Sequence, residues 1–258
     1  MVSGFNLSGF SNVEELFSIN PYIVKSSFDY NEKIKSYIVD KEINAESLQN
    51  DIFPVIGADI FISHSHSDEE LAIKLKNWLQ NELGITSFLD GEIWKSADET
   101  LKAVDDIYCW RQNRNVYDYS DRNLSTSYVH VMLCNAIMQV MDKCKFVFFL
   151  NTNNSIKPES AIKNPSTHSP WLYYELSVLK YIEKKSVCSC MNFSKSQEAL
   201  TEDRNIRNVM NYPAVDLANL PILEFSDLKE LKKVELIKRY EKLEHYFDNT
   251  VSAVKKRI

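Results

Sequence analysis

Glycine is scarce: the 258 residues contain five (Gly4, Gly9, Gly57, Gly84 and Gly91), none in a G-x-G-x-x-G or Walker spacing. A nucleotide, if one binds, is therefore not cradled by a glycine loop. Cysteine is equally sparse. Cys109, Cys134, Cys144, Cys188 and Cys190 form an odd set without a C-x-x-C pair, and a reducing cytosol keeps such residues as thiols. Cys188 and Cys190 alternate along an expected strand, which suits two small buried side chains better than zinc. No long apolar run exists, the longest being Phe146 to Leu150, and the opening Met-Val-Ser-Gly-Phe carries no basic flank. Neither a signal peptide nor a membrane span is expected, which points to the cytoplasm. Nor is there a surplus of positive charge: 30 Lys and Arg face 36 Asp and Glu, for a net charge of −6. That balance argues against nucleic acid as a partner. Internal repeats and low-complexity segments are also absent.

What is present is a 44% hydrophobic share, enough to fill one medium-sized core with attachments. Residues 1–57 mix short helical patterns with Asn, Ser and Pro and read as an N-terminal extension. From residue 58 the pattern sharpens. Ala58 to Ser63 is a short apolar strand, and Ser67 with Glu70 forms a capping box. Leu71, Leu75, Trp78, Leu79 and Leu83 make the stripe of a helix that Gly84 ends. Ile85 to Leu89 is a second strand, which completes a βαβ unit. A helix over 127–144, a strand over 145–150, a helix from Ser169 to about Lys185 and a strand over 187–192 continue the alternation. The expected fold is a doubly wound parallel α/β sheet over residues 58–192. In the C-terminal extension, 193–258, Tyr212 to Leu223 is expected to supply an edge strand. Ser226 is read as the cap of a long terminal helix with Leu236, Tyr240, Leu243, Phe247, Val251 and Val254 on one face.

Residues 91–126 exceed by far the connection of about 2 to 6 residues usual in such folds. They carry Trp94, Tyr108, Trp110, Arg111, Arg114, Tyr117, Tyr119 and Arg122. Rings interleaved with guanidinium groups can stack on a base and neutralise a pyrophosphate, as a lid would. They suit equally a folded insertion whose aromatics pack on their own scaffold.

In an open parallel sheet, ligands bind beyond the carboxyl ends of the strands. Two polar segments are expected there: Ser63-His-Ser-His-Ser-Asp68 and Ser169-Pro-Trp-Leu-Tyr-Tyr-Glu175. Ser169 as N-cap and Pro170 in the first turn fix the start of a helix, so Trp171 and Glu175 share one face near its mouth. Leu172, Leu176, Leu179 and Ile182 form the adjoining core stripe, and a carboxylate beside it is partly desolvated. A W-x-x-x-E pair alone also fits an ordinary surface acid beside a half-buried ring. His64 and His66 lack a second pair at metal-ligand spacing, so no metal is expected. A phosphoacceptor domain would want acids where Ser63, His64 and Asn151 stand, and no G-x-S-x-G elbow occurs.

In order and spacing, Asp59-Ile-Phe-Ile-Ser-His-Ser-His-Ser-Asp68, Phe88-Leu-Asp90, Phe146-Val-Phe-Phe-Leu150 and Ser169-Pro-Trp-Leu-Tyr-Tyr-Glu-Leu176 resemble the TIR (Toll/interleukin-1 receptor) domain, a flavodoxin-like fold. Within that family the chain looks most like the bacterial TIR proteins of Thoeris antiphage systems, which share the Glu92–Trp94 and Tyr108–Trp110 segments. One departure is Leu172, where many TIR domains carry cysteine. The resemblance implies an NAD-consuming enzyme that makes a cyclic or conjugated ADP-ribose signal for a separate effector protein, on a phage-derived trigger. It puts the catalytic glutamate at Glu175, with NAD as substrate rather than cofactor. Trp171, Phe61, Ser63, His64, Ser65 and Asp90 are then expected to line the substrate site, with Trp110 and Arg114 closing over it. The family also includes TIR scaffolds that act by self-association alone, so a homo-oligomer is a further expectation.

Overall fold

Five parallel strands form the central sheet of the computed structural model, which describes residues 2–10, 16, 34–39, 42–55, 57–156, 166–184, 212–214, 217 and 220–255. They are β1 (Ser3–Ser8), β2 (Ile60–Ser63), β3 (Ser87–Leu89), β4 (Phe146–Leu150) and β5 (Ile222–Glu224), in the spatial order β3-β2-β4-β1-β5. β2 and β4 are buried along their whole length, and strands covered on both faces read as continuous apolar runs. Their side chains alternate between two layers. Ile60, Ile62, Phe146, Phe148, Phe5 and Leu7 meet Leu75 and Trp78 of α2 (Glu69–Trp78). Phe61, Phe88, Val147 and Phe149 face the opposite layer. That layer includes Val104 of α3 (Asp90–Val104), Leu133 and Ile137 of α4 (Tyr119–Lys143), and Leu172, Leu176 and Leu179 of α5 (Pro170–Lys184). A preceding helix, Ala45–Ile52, adds Leu48 and Ile52 to the same side. Helices on both faces of a parallel sheet make this a doubly wound α/β fold. Among the described residues no helix is long and apolar enough to cross a membrane.

The expected elements differ from the observed ones in several places. Ser3–Ser8 belongs to no appendage: β1 lies between β4 and β5, with Phe5 opposite Phe148. Its Ser-Gly-Phe-Asn-Leu-Ser alternation sends Phe5 and Leu7 into one core layer while Gly4 faces Leu179 of α5 and Asn6 donates to the Leu217 carbonyl, so only half of it is apolar. Residues 91–126 are not an open loop. α3 runs into a wide turn at Asp105–Cys109, a two-stranded ribbon pairs Trp110–Arg111 with Val116–Tyr117, and α4 starts at Tyr119. Asp118 caps α4 by accepting from the amides of Ser120 and Asp121 at 2.9 and 3.2 Å. The Ser67/Glu70 box is replaced by a single tight turn, His66–Asp68, in which Ser65 Oγ donates to Asp68 Oδ2 at 2.6 Å. Finally, Glu224 and not Ser226 caps the helix after β5, which stops at Glu230. The terminal helix Leu236–Lys255 is separate. There the box is Glu224 with Asp227, whose carboxylate accepts from the Glu224 amide at 2.9 Å. Gly84 ends the α2 segment as expected, in the left-handed region at φ 63°. Of the edge strand expected over Tyr212–Leu223, only Ile222 and Leu223 fall in the observed edge strand Ile222–Glu224, and Tyr212–Pro213 pairs instead with Ser166–Thr167. The strand expected at 187–192, with Cys188 and Cys190, lies outside the described residues.

At the amino ends of the strands Asp59 ties three segments together. It accepts from Thr86 Oγ1 at 2.6 Å and from Lys145 Nζ at 3.0 Å. Burial works to raise its pKa, but the hydrogen bonds from Thr86 and Lys145 outweigh it and hold the carboxyl below its ordinary 3.8. A depressed carboxylate stabilises the fold above its unfolded value, and the contribution is lost as pH falls through the folded one. Asp59→Asn should therefore lower the thermal midpoint at pH 7 by about 2–4 °C, the shift about 1 kcal/mol gives in a domain of this size. The deficit against wild type should shrink as the pH is taken below 3.8. A deficit of constant size across that range, followed by circular dichroism, contradicts the assignment.

Candidate functional site

The chain leaves β2 for β3 on one side and returns to β4 on the other, so a crevice opens beyond the carboxyl ends of β2 and β4. Ser63 is the last residue of β2 and is fully buried. α5 begins beside it. Ser169 Oγ accepts from the Leu172 amide at 3.2 Å and the Ser169 carbonyl from the Tyr173 amide at 3.2 Å, which sets the first turn. With that start, Glu175 falls in the second turn, next to the core stripe of Leu172, Leu176 and Leu179. Its side chain has 0% exposure, and Ser63 Oγ donates to its Oε2 at 2.5 Å. The pair joins residues 112 positions apart.

One turn earlier, Trp171 is half-buried and forms a wall of a cavity of about 470 Å³. The His130 ring of α4 stands edge-on to the indole at 5.5 Å and 90°. His64, His66, Glu69, Gly91 and Asp98 complete the polar side. His64 is 1% exposed, and a Cβ at Gly91 would lie 3.3 Å from both its Cε1 and Nε2. The missing side chain at Gly91 lets the first turn of α3 approach that imidazole without crowding it. Glu175 does not itself line the cavity; it is buried one helical turn after Trp171 and bonded to Ser63, the chain neighbour of His64.

A second polar cluster fastens the two strand-end loops. Asp68 accepts from Ser65 Oγ at 2.6 Å, Thr152 Oγ1 at 2.6 Å and Asn154 Nδ2 at 2.7 Å, and Ser155 Oγ donates to the Leu150 carbonyl at 2.7 Å. α5 is in turn anchored to α4 by the Tyr174 hydroxyl, which donates to the Cys134 carbonyl at 2.8 Å. Burial, then the neighbouring Cys134, pushes that phenol well above its ordinary value, so it stays a donor.

Of the residues singled out in the sequence, the structure gathers Glu175, Ser63, His64 and Trp171 in one place. Ser65 points to Asp68 instead. Phe61 shares a strand face with Ser63 but sits two residues deeper, fully buried and stacked on Phe88 at 5.9 Å, so it is core and not cavity wall. Trp110 packs on Tyr117 at 4.8 Å, Arg114 is exposed in the turn of the ribbon, and neither lines the cavity. The aromatic insertion therefore packs on its own scaffold: Arg111 pairs with Asp121, and Arg122 with Asp105. Asp90 opens α3 beside Gly91, and its side chain lies outside the described part. His130, Asp98 and Glu69 were not found from sequence. Each sits on a helix whose stripe gives no sign that its polar residues converge with two others.

Among the described residues, no group of three or more His, Cys, Asp or Glu side chains is arranged to hold a metal ion. No family model matches the chain, and neither a curated protein nor a solved structure matches it.

The Ser63–Glu175 contact is open to measurement. In a double-mutant cycle of Ser63→Ala and Glu175→Leu, read by urea denaturation, the coupling should be about 1–3 kcal/mol, as for a buried hydrogen bond to a carboxylate. Additive effects of the two substitutions contradict the bond.

Proposed function

We propose that this chain is a TIR-type enzyme that cleaves the nicotinamide–ribose bond of NAD, with Glu175 as its catalytic carboxylate. The observation that carries the reading is a buried glutamate one turn after Trp171, bonded at a strand end to Ser63, the chain neighbour of His64; Trp171 and His64 both wall a cavity. Its volume is within the range of about 300–1,000 Å³ common for small-molecule sites.

The chemistry suits a lone carboxylate. The nicotinamide of NAD leaves as a neutral pyridine, so no general acid is needed, unlike glycoside hydrolysis with its two carboxylates. Positive charge grows on the ribose as the bond breaks. A fixed negative charge in a water-poor setting stabilises that charge far more than bulk water does. The Ser63 hydroxyl donates to Oε2 and fixes the orientation of the carboxylate. Trp171 offers a flat apolar wall for the pyridine or the ribose. If water reaches the cationic carbon the product is ADP-ribose; if it is excluded, another hydroxyl or a ring nitrogen attacks. In the resemblance to Thoeris proteins such a product is the signal to an effector.

Glu175 has no exposed area, so the reading includes a parting of Trp171 from His64 when substrate binds. The same burial favours the other reading, a TIR scaffold that acts by self-association alone. Incubating the purified protein with NAD, with and without phage extract, separates them. Nicotinamide release that falls by at least about 100-fold in Glu175→Gln supports the enzyme. Trp171→Ala should raise the Michaelis constant, while Arg114→Ala should leave it unchanged. No release under any trigger favours the scaffold, and release indifferent to Glu175→Gln places the site elsewhere.

A further inference from the structure

Helix α4 carries no Asp, Glu, Lys or Arg between Arg122 and Asp142, in a chain of which 26% is charged. One face of this stretch is core: Val129, Leu133, Ala136, Ile137 and Val140 are buried. The outward face carries an apolar stripe among uncharged polar residues such as Ser127 and Gln139. Leu124, Tyr128, Val131 and Met138 are 51, 59, 60 and 42% exposed. With Asn135 they follow a 4-3-4-3 spacing, which draws a straight stripe along a helix. Beyond its amino end Tyr119 is 80% exposed and Val116 50%. Alongside runs a groove of about 1180 Å³ between α4 and the helix Ala45–Ile52, walled by Leu124, Tyr128 and Val131 on one side and Leu48 on the other. An exposed apolar surface of this extent on a charged protein marks an interface.

We propose that the occupant is a second copy of this chain, packed antiparallel through α4 about a two-fold axis at Val131. Three observations select a copy over an unrelated partner. First, the stripe is nearly its own mirror in sequence: folded about Val131, Leu124 comes opposite Met138. Tyr128 then comes beside Asn135, the one polar member, whose amide can accept the phenolic hydrogen. A lone polar residue in an apolar seam fixes register. Second, the chain is acidic overall, at net charge −6, so most faces of two copies repel. The uncharged stretch lets them meet without opposing like charges. Third, the area fits a weak, concentration-dependent dimer. Residues 121–139 span about 27 Å, and two adjacent helices about 20 Å. That footprint, at most about 540 Å² on each partner, lies below the roughly 800 Å² of a standard stable interface and suits association that reverses on dilution. This inference does not depend on the reading of Glu175.

The test is sedimentation velocity of the full chain over a wide concentration range. Wild type should show a concentration-dependent dimer. Val131→Glu brings two carboxylates together on the axis and should weaken association by at least about 100-fold. Val131→Lys should do the same. Because Val131 is exposed, the monomeric variants should keep the wild-type circular dichroism and thermal midpoint measured at low concentration. An equimolar mixture of the two variants should restore the dimer, which misfolding cannot produce. A wild type that stays monomeric throughout, a dimer that survives Val131→Glu, or a mixture that fails to reassociate overturns the proposal.

Discussion

A buried carboxylate that accepts a hydrogen bond from a strand-end hydroxyl is the constraint on which the rest of this structure turns. Removing a carboxylate from water costs several kcal/mol even after relaxation, and Glu175 is shielded completely. The Ser63 hydroxyl at 2.5 Å offsets part of that cost, and it can do so only if the end of β2 meets the second turn of α5. The start of α5 must then be fixed to the residue, which Ser169 and Pro170 accomplish. Trp171 follows, one turn before Glu175, as the wall of the cavity. An apolar residue in place of Glu175 would pack against Leu172 and Leu179 without any of these requirements. An acid at this apolar position is thus the reason to look for chemistry here.

Around that pair the fold uses α4 in three ways. Its inner face closes one layer of the core, and the Cys134 carbonyl takes the Tyr174 hydroxyl. His130, near the middle, stands against Trp171. Its amino end secures the long insertion: Asp105 accepts from Ser125 Oγ at 2.5 Å and from Arg122 Nε at 2.8 Å. Arg122 also lies over the Tyr117 ring at 5.3 Å. Polar contacts that could have reached a ligand are consumed in building a rigid ribbon.

The parts of this architecture that could be read in the sequence are those decided locally. Phe146 to Leu150 and Ala58 to Ser63 stand out because strands covered on both faces need apolar runs, and Ser169-Pro170 marks a helix start through its own cap chemistry. The pairing of Ser63 with Glu175 was legible only as two segments at one rim, because the contact joins distant positions. β1 escaped because Gly4 and Asn6 interrupt its apolar pattern, and its place in the sheet depends on partners more than a hundred residues away. The ribbon aromatics left two readings open for a different reason. Interleaved rings and guanidinium groups have the same composition whether they wait for a ligand or pack on one another, and Asp105, Asp106 and Asp121 decide for packing here.

A crystal structure of the protein with a non-cleavable carbocyclic NAD analogue bears most directly on the role of Glu175. The ring that replaces the ribose should enter between Trp171 and His64, with its hydroxyls within hydrogen-bonding distance of the Glu175 carboxylate and the nicotinamide against Trp171. An analogue seated elsewhere, with Glu175 still sealed behind an unmoved Trp171, would contradict the account and leave the carboxylate a structural member of the core.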